Sequence, residues 1–243
     1  MKTILKQIAK KMPFLKSSYK FLRTALLKRK TVEKRFESIY KNNSWGGTTS
    51  VSGRGSDLDQ TKTLIKELPS LFEDLNISSI LDIPCGDFNW IKKINLNKYQ
   101  YIGADIVKEI IDNNKKLYEK ENVSFQKINL IEDPLPQADL ILVRDCLVHF
   151  SYNNIFKALN NICRSGSKYL LTTTFTNRQS NENIITGEWR TLNLQLKPFY
   201  LPKPIKIVNE RCTEGNMLYT DKSLGLWKIS DIANILKSKN ETK

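Results

Sequence analysis

The sequence is poor in glycine and nearly without histidine, with ten Gly and one His in 243 residues. It contains no Gly-x-Gly-x-x-Gly, so the pyrophosphate-cradling loop of a dinucleotide enzyme is missing. Its four cysteines, Cys85, Cys146, Cys163 and Cys212, form no Cys-x-x-Cys pair and stand beside no histidine cluster. This speaks against a zinc site, and no metal ligands are assigned; a magnesium ion on carboxylates near Asp145 stays open. Cys85 and Cys146 sit in or beside apolar runs and read as small core hydrophobes in a reducing, cytoplasmic setting. No run approaches the roughly 20 apolar residues of a membrane span. The N-terminus is basic but lacks the unbroken apolar stretch of a signal peptide. No internal repeat or low-complexity tract is visible.

What is present is an ordinary globular balance, 40% hydrophobic and 26% charged, with a net charge of +14. The charge is unevenly placed. Residues 1–30 hold ten Lys or Arg and no acid, so the rest carries 29 basic and 25 acidic residues. Ile4, Leu5, Ile8 and Met12, with Lys2, Lys6, Lys10 and Lys11 between them, pattern as a basic amphipathic helix. Such an arm, taken as 1–43, can lie on an anionic membrane face, meet an acidic partner, pack on the domain, or be solvated. The location expected is cytoplasmic, with peripheral contact at the inner membrane face as an option. Residues 44–243 form the second unit.

The middle of that unit alternates strand and helix. Ser78–Ile83, Tyr99–Ala104, Val123–Leu130, Ala138–Val143 and Lys168–Thr174 are short apolar runs bounded by turn residues. Leu58–Leu75, Val107–Lys120 and Tyr152–Cys163 carry apolar residues at helical spacing. A late strand is expected at Leu224–Trp227 and a final helix at Ile229–Leu236. This alternation predicts an α/β fold with right-handed crossovers and a mostly parallel sheet covered by helices on both faces.

Ligands of open α/β sheets sit beyond the C-terminal strand ends. The first strand ends in Asp82-Ile83-Pro84-Cys85-Gly86-Asp87, where Gly86 lets backbone approach a ligand. The second ends in Gly103-Ala104-Asp105. Asp105, 23 residues after Asp82, is placed to accept hydrogen bonds from ribose hydroxyls. It can also cap the helix that follows.

ILDIPCGDFNW resembles the first motif of class I S-adenosylmethionine-dependent methyltransferases. YIGADI resembles their second motif, and Asn129 through ADLILVRDCLVHF their third and fourth. SWGGTTSVSGRGS, TTTF, TGEWRTLNL and DKSLGLW extend a likeness to a bacterial methyltransferase family found with surface-polysaccharide genes. The resemblance implies a Rossmann-like, seven-stranded fold and S-adenosylmethionine as cofactor. It implies cofactor contacts from Asp82, Pro84, Gly86, Asp105, Ile106, Asn129, Leu130 and Arg144. Pro84 and Phe88 replace the family's usual first and third glycines, and Asn129 stands where many relatives have Asp.

His149 follows the fourth strand by six residues, in the segment that borders the transferred methyl in this fold. It can take a proton from an acceptor hydroxyl, or serve as a core or helix-capping histidine. Asp145 can orient it or bind substrate, and Arg144 can pair with Asp145 or with an anionic acceptor group. The Gly-rich loop Trp45–Ser56 reads as a lid or as a linker, with Ser56 as an N-cap partnered by Asp59. Trp45, Trp189, Arg190 and Asn193 are candidate acceptor ligands, able to hold a sugar ring or a phosphate. The leading expectation is O-methylation of a small molecule, such as a sugar of a glycan precursor. Methylation of nitrogen, of phosphorylated small molecules or of RNA is the enzymatic alternative, although no RRM, KH or zinc signature speaks for nucleic acid. A non-catalytic interaction protein on the same fold is the other class.

Overall fold

The computed structural model describes residues 29–241. The basic amphipathic pattern expected at residues 2–12 lies outside them. The first helix, α1, is Val32–Lys41; the Thr31 hydroxyl caps it by accepting from Lys34 N at 3.3 Å. After the Gly-rich loop comes α2, Leu58–Asp74. Then follow β1 (Ser79–Asp82), β2 (Gln100–Asp105), α3 (Lys108–Tyr118) and β3 (Val123–Lys127). Beyond them are β4 (Leu140–Val143), α4 (Tyr152–Arg164), β5 (Tyr169–Phe175), β6 (Lys206–Asn209), β7 (Lys222–Lys228) and α5 (Ile229–Glu241).

The seven strands form one sheet in the order β3-β2-β1-β4-β5-β7-β6. The first five run parallel, and β7 is antiparallel to both β5 and β6. This is the Rossmann-like fold of class I methyltransferases. The order reverses at β1 and β4, so the cleft beside their C-terminal ends is the place for a ligand.

Both faces of the sheet are covered. Along β4 the side chains alternate: Leu140 and Leu142 join the core under α2, while Ile141 and Val143 join the core under α4 and α5. All four are fully buried, so the strand reads as an unbroken apolar run rather than an alternating one. Each such burial stabilises by about 1.5–3 kcal/mol.

The boundaries differ from the sequence reading where tertiary pairing intervenes. β3 stops at Lys127, not Leu130, because its last partner is Asp105, where β2 itself ends. Ile128, Asn129 and Leu130 are thereby released to line the cleft. Helix α3 ends at Tyr118 instead of Lys120 because Lys120 bridges back to Val123. Strand β7 begins at Lys222, two residues early. The edge strand β6 escaped the sequence reading: it has four residues and leaves Ile207 exposed, so no apolar run marks it.

From 176 to 205 the chain has no helix and no strand beyond one isolated bridge, Thr186 to Glu188. Side chains hold this segment in place of a ladder. Arg190 is 3% exposed and donates to the carbonyls of Leu147, Phe150 and Glu182. Asn181 donates to the carbonyls of Asn193 and Lys197.

Candidate active site

A cavity of about 340 Å³ opens at the C-terminal ends of β1, β2 and β4. That is the size of a small-molecule site. It has two halves, one of strand-end residues and one of aromatic rings.

The first half holds every residue that the sequence assigned to the cofactor: Asp82, Pro84, Gly86, Asp105, Ile106, Asn129, Leu130 and Arg144. Asp82 ends β1, 2% exposed, and accepts from the Tyr101 hydroxyl at 2.6 Å. Burial raises its pKa to about 7. Asp105 ends β2 and accepts from Gly86 N at 3.3 Å and Val107 N at 2.9 Å. Burial raises it to about 6. Both acids therefore sit where a cationic or hydroxyl-rich ligand would favour their ionised forms. Asp105 does not cap α3; Val107 occupies that position, and the carboxylate braces its N–H instead.

Gly86 has φ +54°, and a Cβ there would fall 2.1 Å from the Ser52 hydroxyl. The approach that this glycine permits comes from the Gly-rich loop, which lies over the cofactor half. Two carboxylates hold the loop there. Asp57 accepts from Thr48, Thr49 and Ser50, and these bonds outweigh its burial to bring its pKa down to about 2. Asp87 accepts from the Ser50 and Ser52 hydroxyls and from Val51 N. Asp57, not Ser56, precedes α2, and its side chain turns back to the loop instead of capping the helix. The expected pairing of Ser56 with Asp59 is absent because Asp57 intervenes.

Arg144 lines the cavity but has its own partners. Its guanidinium meets Glu210 at 2.6 Å, the Gly55 carbonyl at 2.7 Å and Asp145 at 3.4 Å. It holds the loop as a cationic brace. Asp145, at φ +51°, takes Lys222 Nζ at 2.6 Å. Against the burial that raises it, Lys222 and then Arg144 keep Asp145 well below the usual carboxylate range. Its short contacts run to these two cations, not to His149.

The second half of the cavity is aromatic. Phe36 comes from α1, Trp45 from the loop, Phe150 and His149 from the turn after β4, Phe175 from β5, and Trp189 and Tyr219 from the last third. His149 is buried, and its Nδ1 lies 2.8 Å from the Glu188 carbonyl. A carbonyl only accepts, so Nδ1 carries the hydrogen and Nε2 keeps its lone pair. Burial lowers the pKa to about 4, so the ring is neutral at neutral pH. Trp45 stacks on it with centroids 4.7 Å apart. It caps no helix, since Ser151 does that for α4.

Two candidate acceptor ligands are placed elsewhere. Arg190 and Asn193 do not line the cavity. All of the Arg190 hydrogen bonds named above go to backbone carbonyls. Asn193 donates to the Arg178 carbonyl and accepts from Gln195 N. Their polar groups are spent on holding the irregular segment, while their neighbour Trp189 reaches the site, 43% exposed. Tyr219, Lys222, Glu210 and Glu214 were not singled out from the sequence. Lys222 falls within DKSLGLW but was given no role there, the other three lie in no motif, and β6, β7 and the turn between them bring all four to the cavity side of β4.

Residues 81–171 match the family model described as a methyltransferase domain. No curated protein matches the chain. Among solved structures, a S-adenosylmethionine-dependent methyltransferase of Leishmania major aligns with a TM-score of 0.61 at 13% identity, over 82% of this chain and 83% of that one. The N-methyltransferase NodS of Bradyrhizobium japonicum aligns at 0.52 and 15% identity, over 71% and 97%. Human N-acetylserotonin methyltransferase aligns at 0.49 and 12% identity; the match covers 79% of this chain and spans about two thirds of the human one, 65%. At these identities the likeness is one of fold.

Proposed function

We propose that the protein transfers a methyl group from S-adenosylmethionine to a hydroxyl of a small molecule. The observation that carries this reading is a single cavity with two chemistries. Buried carboxylates stand at two strand ends, and a neutral histidine stands among aromatic rings. The match of residues 81–171 to a methyltransferase domain supports the reaction class.

The residues suit the cofactor. Asp105 offers a carboxylate to ribose hydroxyls, Asp82 a negative charge to an ammonium group, and Ile106 and Leu130 apolar surface to a base. When bound, S-adenosylmethionine supplies a methyl carbon whose bond to sulfur breaks toward the sulfur as the bond to the acceptor oxygen forms. His149 Nε2 accepts the hydroxyl proton and later releases it to solvent. The aromatic half holds the acceptor and excludes water from the transfer. A sugar or glycan precursor is the acceptor class we favour, since Trp45 and Trp189 bring flat apolar surface to the cavity. Residues 1–30 would bring the protein to an anionic membrane, a contact that vesicle flotation with and without them would test.

The primary test is calorimetric titration of S-adenosylmethionine into the wild type and Asp105→Ala. Saturable binding is expected in the wild type and a loss of at least about 100-fold in the variant, the scale of removing a charge-assisted bond inside a closed site. No binding to folded wild type at millimolar ligand would overturn the reading.

A further inference from the structure

The protein is strongly basic, yet the charges that line its cavity nearly balance. Three of them and Glu210 compensate each other in a buried square. Arg144 pairs with Glu210 at 2.6 Å and Lys222 with Asp145 at 2.6 Å, and contacts of 3.4 Å from Arg144 to Asp145 and 3.6 Å from Lys222 to Glu210 close the other two sides. Lys222 is 5% and Arg144 3% exposed in their side chains, and each has its closest distances to these acids. A fifth charge, Glu214, is held by longer contacts. Its Oε2 lies 3.9 Å from Lys222 Nζ and 3.7 Å from Cys212 Sγ. Its side chain keeps 25% exposure and lines the same cavity as Tyr219, Trp189 and Phe175. The one remaining cation of the lining is Arg54, half exposed and facing Asp59 at 3.9 Å.

We infer that Glu214 is the acceptor-binding carboxylate, and that it selects uncharged, hydroxylated ring compounds against phosphorylated or carboxylated ones. The inference rests on the proposed methyl transfer and narrows its substrate class. A carboxylate in a partly desolvated wall gains from a hydroxyl donor and loses from an approaching anion. The aromatic rings of the same cavity supply flat apolar faces for the ring carbons. A phosphate would need a free, convergent cation. The two buried cations are already spent on acids of the square.

The test uses the full chain and pairs of probes that differ only in charge: methyl hexosides against the same hexosides as 6-phosphates. Binding is read by calorimetry with S-adenosylhomocysteine present, and turnover by release of that product. Saturable binding of at least one neutral hexoside is expected, with its phosphate at least ten times weaker. Glu214→Gln should raise KM for the neutral probe about tenfold while kcat moves less than threefold. Glu214→Lys should narrow or reverse the preference. S-adenosylmethionine affinity should stay within threefold in both variants, which also reports that they are folded. Equal or tighter binding of the phosphates to the wild type would overturn the inference. So would an unchanged KM in Glu214→Gln, or no neutral probe binding at 50 mM. Absence of cofactor binding would instead overturn the methyltransferase reading itself, so the two failures are distinct.

Discussion

The two halves of the cavity are made in different ways. The cofactor half is built by residues at or just past the ends of neighbouring strands. Sheet register fixes them: Asp82 pairs with Gly103 and Asp105 with Lys127, so the two acids are set by the same ladder that forms the core. The acceptor half is built by side chains from α1, the Gly-rich loop, the turn after β4, and the irregular last third. Its shape depends on braces such as Arg190, not on the ladder. The fold thus separates a rigid, general half from an adjustable, specific one. Loops positioned by a scaffold commonly carry the variable part of a function.

The largest effect that would sharpen this division is on the chemical step. His149→Ala should lower kcat by about 10²–10⁴, the usual range for losing a general base. Affinity for S-adenosylmethionine should change less than threefold, since the histidine belongs to the other half. Because burial holds its pKa near 4, the ring is already deprotonated at pH 6. The rate should therefore show no histidine limb between pH 6 and 7, and a base limb only toward pH 4–5. An unchanged kcat at saturating substrate would break the assignment.

A second effect falls on stability. Arg190→Ala removes the donors of three backbone carbonyls in a buried place. Leaving such acceptors unpaired should cost about 2–4 kcal/mol, seen as a lower denaturant midpoint. Lys cannot restore the fork of bonds, so Arg190→Lys should rescue only in part. Unchanged stability with a raised KM would instead return Arg190 to the acceptor site.

The cofactor half was legible in the sequence because its residues lie next to strands that the apolar pattern marks. Asp82, Gly86 and Asp105 are each one step from a run of buried residues. The acceptor half was legible only in its aromatics. Trp45, Trp189 and His149 reach the cavity, but Arg190 and Asn193, in the same stretch as Trp189, turn away from it. Nothing in the spacing of Glu-Trp-Arg-Thr-Leu-Asn tells which side chain faces a ligand when neither helix nor strand sets a period. Glu210, Glu214 and Lys222 were hidden for another reason. They flank a four-residue edge strand and a turn, and the long-range contacts of Glu210 with Arg144 and of Lys222 with Asp145 are made by antiparallel pairing.

A smaller effect tests whether the loop couples the halves. Gly55 sits over the ionic square, and a Cβ there would lie 2.9 Å from Asp145 Oδ2 and 3.2 Å from Lys222 Nζ. Gly55→Ala should lift the loop and weaken S-adenosylmethionine binding about tenfold, the scale of a core overpacking cost. It should also raise protease cleavage within 45–56. Unaltered affinity would mean that the loop moves independently of the cofactor half.

The mildest effect comes from the two strand-end acids. Asp82 and Asp105 have pKa values raised by burial to about 7 and about 6. Such groups bind protons more readily in the folded chain than in the unfolded one, where a carboxyl titrates near 4. A ligand that carries an ammonium and a sulfonium prefers the ionised forms, so it must displace these protons at low pH. The affinity should be full above about pH 8 and fall severalfold as the pH passes through 7 and then 6. The increase in Tm caused by a fixed excess of S-adenosylmethionine should shrink in parallel. Asp82→Asn should lower the affinity at pH 8 and flatten its dependence between pH 8 and 7, leaving the fall near pH 6 to Asp105. A dependence that survives unchanged in Asp82→Asn would place the titrating group outside the cofactor half.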